Sequence, residues 1–171
     1  MLWIILIAVV IFIFIVVAKN EKETKESNKK LINAGYNLNN KVDTGKYIAG
    51  HPTIDDSITI SCIVAKESKL FILNEVASHS TRIQGSIEKS YINNILVEDQ
   101  TTIERRVTVG RMLLTGLFAF ALKKKTKNEL AYLVIEWNDG KFEHETIFEF
   151  EGKDSVIKAN KARNTLIKIV K

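Results

Sequence analysis

Hydrophobic positions fall into three regimes along this chain. From Leu2 to Ala18 they form one run with no charge in it. At about 1.5 Å per residue a helix over residues 1–18 reaches about 27 Å, close to the thickness of a bilayer's hydrocarbon core. From Ser57 the period falls to two: Ile58, Ile60, Cys62 and Val64 alternate with polar neighbours, and a turn at Lys66 to Ser68 leads into Lys69 to Val76. Ser80 to Glu88, Ile92 to Glu98, Val107 to Lys123, Leu130 to Trp137 and Lys141 to Phe150 read as further strands, the third of these from its Val, Thr, Leu and Phe content and its bend-forming Gly110 and Gly116. Beyond Gly152 the period turns helical, with Asp154 or Ser155 as cap and Val156, Ala159, Ala162, Leu166 and Ile169 on one stripe.

The Asp139-Gly140 pair between two such runs predicts a two-residue hairpin loop, because glycine enters the left-handed region without steric cost. Counting outward puts Trp137 opposite Phe142, Ile135 opposite His144, Leu133 opposite Thr146 and Ala131 opposite Phe148 on an inner face. Glu136 opposite Glu143, Val134 opposite Glu145 and Tyr132 opposite Ile147 make a wetter outer face.

Between the first and second regimes, residues 19–56 are rich in Lys, Glu and Asn and broken by Gly35, Gly45, Gly50 and Pro52. They read as a polar, partly helical tether followed by a loop. Three parts follow: an anchor over 1–18, a tether over 19–56 and a β domain over 57–171. In the anchor Leu2, Trp3, Ile4, Ile5, Phe12, Phe14 and Ala18 face lipid. Nothing positive precedes the run, which favours a retained anchor over a cleaved signal peptide, and every face is apolar, which disfavours a core helix. Lys19, Lys22, Lys25, Lys29 and Lys30 crowd its C-terminal side, so the positive-inside rule places the domain in the cytoplasm of a single-pass protein.

Charge and chemistry add exclusions. The net charge of +5 suits a neighbouring anionic membrane surface but is too dispersed for nucleic acid, for which no motif exists either. The single cysteine, Cys62, reads as a small buried hydrophobe that cannot form an intramolecular disulfide. His51, His79 and His144 lack partners at metal-ligand spacing, and no phosphate loop or serine elbow occurs. Glu143, Glu145, Glu149 and Glu151 alternate as a solvated outer face does. No catalytic residue, metal site or cofactor is therefore expected. One segment invites a sharper reading: Arg105, Arg106 and Arg111 precede the apolar run Met112 to Leu122, and Lys123, Lys124, Lys125 and Lys127 follow it. The run is too short to span a bilayer as a helix. It reads as core strand, with the flanking charges available to an anionic surface.

Seven antiparallel strands closed by a C-terminal helix is the layout of the pleckstrin-homology superfold. Tyr47-Ile48-Ala49-Gly50-His51-Pro52, Val97-Glu98-Asp99, Ile103-Glu104-Arg105-Arg106-Val107-Thr108-Val109-Gly110-Arg111, Leu133 to Gly140 and Glu145 to Gly152 resemble bacterial pleckstrin-homology-like domain proteins of Gram-positive hosts and their mobile elements. The resemblance covers about residues 46–170 and implies a seven-stranded antiparallel barrel capped by the helix. It implies no catalytic residues and no agreed ligand. The Lys-to-Arg-x-Arg pattern of phosphoinositide-binding relatives has no clean match. The expectation is a non-enzymatic binding or scaffolding module at the membrane. Its partners are the bilayer and a protein or peptide, with self-association left open. An extracytoplasmic envelope protein, inverted or released by cleavage, is the alternative.

Overall fold

The computed structural model describes residues 3, 16, 18, 19, 22, 25, 26, 28–37, 41–54, 61–75, 81–108 and 129–171. Among the described residues there are seven strands: β1 (Val42–Ala49), β2 (Ser61–Lys66), β3 (Lys69–Glu75), β4 (Thr81–Glu88), β5 (Ile92–Glu98), β6 (Leu130–Asn138) and β7 (Glu143–Glu151). Helix α1 (Gln100–Thr108) lies between β5 and β6, and helix α2 (Ser155–Val170) ends the chain. The strands form one open antiparallel sheet in the order β4-β3-β2-β1-β7-β6-β5.

The strand count matches the expectation for a different reason. β1 lies inside the segment read as tether and loop, and it is the central strand of the sheet. The extended structure expected from Val107 is corrected at its start, where Val107 and Thr108 end α1; Val109 to Lys123 lies outside the described residues. The Asp99 carboxylate caps that helix by accepting from the Thr102 N–H at 2.8 Å, which turns the chain out of β5.

β1 joins the two halves of the sheet. Its first half pairs with β2 (Val42 opposite Ile63, Asp43 opposite Cys62) and its second with β7 (Lys46 opposite Glu149, Tyr47 opposite Phe148). At the change of partner Gly45 adopts φ +72°, and a Cβ there would strike the Glu149 carbonyl oxygen. Only glycine fits both demands. The ladder is irregular here, and hydroxyls supply the missing bonds: Thr44 Oγ1 donates to the Ser61 carbonyl and Ser61 Oγ to the Gly45 carbonyl, both at 3.0 Å.

Every strand and α2 contribute to one apolar cluster, so the sheet wraps round a single core. Its centre holds Tyr47, Ile63, Leu70, Ile72, Ile87, Leu133, Ile135, Phe148 and Leu166. On α2 the buried positions are Ser155, Ala159, Ala162 and Leu166, while Val156, expected on that stripe, is exposed. The outer face of β6 and β7, expected to be wet, is a second buried cluster of Ile48, Ala49, Ile103, Leu130, Tyr132, Val134 and Ile147. Ile103 of α1 is its lid, fully buried. A third cluster covers the outer face of β2 and β3, where Cys62, Val64 and Leu73 lie under Tyr36 and Leu31. β2 is consequently buried on both faces.

Each described residue from 16 to 33 is helical. Among the described residues no helix is long and apolar enough to cross a membrane. Of the anchor residues named above, Trp3 and Ala18 are described, both exposed, and Leu2, Ile4, Ile5, Phe12 and Phe14 lie outside the described residues.

Candidate functional site

The hairpin β6–β7 carries the local chemistry. Its register is Trp137 opposite His144, Ile135 opposite Thr146, Leu133 opposite Phe148 and Ala131 opposite Phe150. This is two residues from the register expected of a two-residue loop. The loop has four residues because the Asp139 side chain takes the place of a backbone acceptor: its Oδ1 accepts from the Lys141 and Phe142 N–H groups, both at 2.8 Å. Gly140, at φ +93°, donates its N–H to Asn138 Oδ1 at 2.7 Å. A shift of two preserves the faces, so the inner residues stay inner while their partners change.

The changed partners assemble an aromatic stack. His144 lies on the Trp137 indole with centroids 4.3 Å apart, and its Nε2 sits 2.9 Å from Asp139 Oδ2. His51, just past the end of β1, approaches the Trp137 ring at 5.4 Å. Trp137 Nε1 donates to Thr146 Oγ1 at 2.9 Å. The His144 contact, with the loop N–H bonds behind it, holds the Asp139 carboxyl down at about 2.

His51 occupies a seam. It is 6% exposed, with Nε2 against the Ser86 carbonyl of β4 at 3.2 Å and Nδ1 facing the Thr53 N–H at 3.3 Å. Those partners require a neutral imidazole protonated at Nε2, since Nδ1 must accept. Burial lowers its pKa below the ordinary 6.5, the Ser86 contact partly opposes this, and His144 adds a smaller lowering. With both ring nitrogens engaged, His51 has no free position for a substrate. It joins β4 to the stack on β6 and β7.

On the opposite face of the hairpin, Tyr132 and Glu149 are register partners, and the buried Tyr132 hydroxyl donates to Glu149 Oε2 at 3.0 Å. Burial raises the tyrosine pKa, with the Glu149, Glu104 and Glu151 carboxylates adding to it. Glu149 is 3% exposed, so the expected solvated ladder holds only for Glu143 and Glu151 at its ends. Among the described residues no group of three His, Cys, Asp or Glu side chains is placed to hold a metal ion.

The basic segment is largely outside the described residues: Arg111, Lys123, Lys124, Lys125 and Lys127 lie there, and Arg105 and Arg106 are seen only as backbone on α1. No family model, curated protein or solved structure matches this chain. What sequence reasoning missed is the stack itself and the contacts of Tyr36. For the stack the signal was the Asp side chain at the turn, and for Tyr36 it was the Ala34-Gly35-Tyr36 helix stop, whose glycine and following apolar residue mark a Schellman end.

Both sheet edges are engaged by side chains. On β4 the Ser86 carbonyl meets His51 and the Gln84 carbonyl accepts from Thr53 Oγ1 at 3.3 Å. On β5 the Ile95 carbonyl accepts from Arg163 Nε at 2.8 Å, and the Ile95 N–H donates to Asn94 Oδ1 at 3.0 Å. Such contacts withhold an edge from a further strand.

Proposed function

We propose that this chain is a single-pass, membrane-anchored module whose pleckstrin-homology-like domain acts as a non-enzymatic binding or scaffolding unit at the cytoplasmic membrane surface. The observation that carries the reading is a charge-free run in the N-terminal sequence, followed by residues 28–33, which are helical and set Leu31 and then Tyr36 on the outer face of the sheet. The strand order β4-β3-β2-β1-β7-β6-β5, wrapped round one core that α2 helps to fill, supports the pleckstrin-homology-like assignment as a capped, bent barrel. Helix α1 is an addition to that layout. The lysines behind Ala18 support the orientation.

The engaged edges favour a charged surface over a strand-adding peptide as the ligand, because a peptide entering beside β5 must first displace Arg163 and Asn94 at Ile95. The basic segment from Arg105 to Lys127 suits anionic headgroups, each Lys or Arg near such a surface adding about 1 kcal/mol.

A reporter active in one compartment only, fused after Lys171, tests the placement: activity of the cytoplasmic reporter with carbonate-resistant membrane association supports it. Activity of the exported reporter alone replaces it with an extracytoplasmic envelope protein. For the ligand, the full chain in nanodiscs containing a photoactivatable anionic lipid is expected to cross-link several-fold less when Lys123, Lys124, Lys125 and Lys127 are changed to Gln. Equal cross-linking removes the basic segment from the reading.

A further inference from the structure

The N-terminal helix stops in a defined way and at a defined place. Gly35, at φ +81°, donates its N–H to the Ile32 carbonyl at 2.9 Å, and Tyr36 donates to the Leu31 carbonyl at 3.0 Å. This pair of bonds is a Schellman end, which leaves the last helical carbonyls satisfied and directs the next side chain back onto the helix. Lys66 at the end of β2 completes it: Nζ donates to the Ala34 carbonyl at 3.0 Å and lies 4.9 Å from the Tyr36 ring centroid. The cation meets the negative end of the helix and the face of an aromatic ring together. Tyr36 is 9% exposed and packs edge-on against Phe71 at 5.4 Å, and with Leu31 it covers Cys62, Val64 and Leu73. Without these two residues the outer face of β2 and β3 would present an apolar patch to water.

We infer that residues 31–36 are a rigid junction, so that the domain is carried in one fixed attitude on the helical residues 28–33 that precede it. A flexible tether would let the domain sweep a volume, and this junction removes that freedom. The helix ends beside Lys66, at the end of β2 where the chain turns into β3. The membrane meaning of this arrangement rests on the anchored reading above; the rigidity does not.

Spin labels at Lys29→Cys and Ser90→Cys in full-length Cys62→Ala protein in nanodiscs test it by the interlabel distance distribution. One narrow distribution is expected, broadening at least twofold in Tyr36→Ala and to a lesser degree in Lys66→Gln. A broad distribution in the parent overturns the inference, as does a Tyr36→Ala width equal to the parent's while amide exchange shows β6 and β7 intact. Release of the chain by carbonate would overturn only the anchored reading, with the distance result standing.

Discussion

The imidazole of His51 fills the space beside the α-carbon of Gly85, so that a Cβ at position 85 would come within 2.6 to 2.9 Å of three ring atoms. Gly85 needs no unusual backbone angle. It is glycine because another element's side chain occupies the space where its own would stand.

Gly85→Ala is therefore expected to destabilise by about 1–3 kcal/mol, the usual cost of overpacking a filled site. His51→Ala removes the obstructing ring and its bonds to Ser86 and Thr53, with its own cost. The double variant should be less destabilised than the sum of the two, since the overlap exists only when both groups are present. Chemical denaturation of the four proteins measures the coupling; strict additivity would show that the ring moves aside freely.

Neutral His51 also sets a pH dependence. Its pKa is lower folded than unfolded, so below the ordinary value of 6.5 the unfolded chain binds the proton more readily. Its contribution is full above pH 6.5 and falls as the pH drops through the folded value. Stability should decline as the pH falls below 6.5, by at most about 1.4 kcal/mol per unit for this one proton, and His51→Gln should flatten the decline. Thermal midpoints across that range decide it.

Asp139 acts further into the acid range. Held down at about 2 against an ordinary 3.8, it stabilises the loop above pH 3.8 and loses that effect as the pH falls through about 2. Asp139→Ala should accelerate amide exchange at Lys141 and Phe142 at least tenfold at neutral pH, while Ile135 and Thr146, deep in the hairpin, change little. Equal acceleration along the whole hairpin would mean that the side chain holds the register as well as the loop.

These residues also show which parts of the fold were legible in sequence. β3, β4, β5, β6, β7 and α2 stand within a few residues of their expected places, because each is a long apolar-periodic run bounded by turn residues. β1 was hidden by its change of partner: Val42 and Thr44 are buried in alternation, then Tyr47, Ile48 and Ala49 are buried in succession, so no period of two survives. The hairpin register was hidden by a side chain acting as backbone. The site was hidden with it, since His144 meets Trp137 only when the loop has four residues. Glycines read as loop punctuation at 45 and 50 instead flank the second half of a central strand, where added Cβ atoms would strike the carbonyls of Glu149 and Glu145.

The Tyr132–Glu149 pair puts that register to the test. Under a two-residue loop Tyr132 would face Ile147 and be indifferent to position 149; in the structure its hydroxyl donates to Glu149 at 3.0 Å inside a cluster that excludes water. Glu149→Leu leaves a buried hydroxyl without this acceptor, expected to cost about 1–3 kcal/mol beyond the loss of the carboxylate's other contacts. Adding Tyr132→Phe to the Glu149→Leu variant removes the orphaned group and should recover part of that cost, whereas Tyr132→Phe alone should destabilise by taking a donor from a buried charge. Opposite signs for one substitution in two backgrounds are the signature of a direct bond. The same sign in both would separate the two residues and point back to the shorter loop.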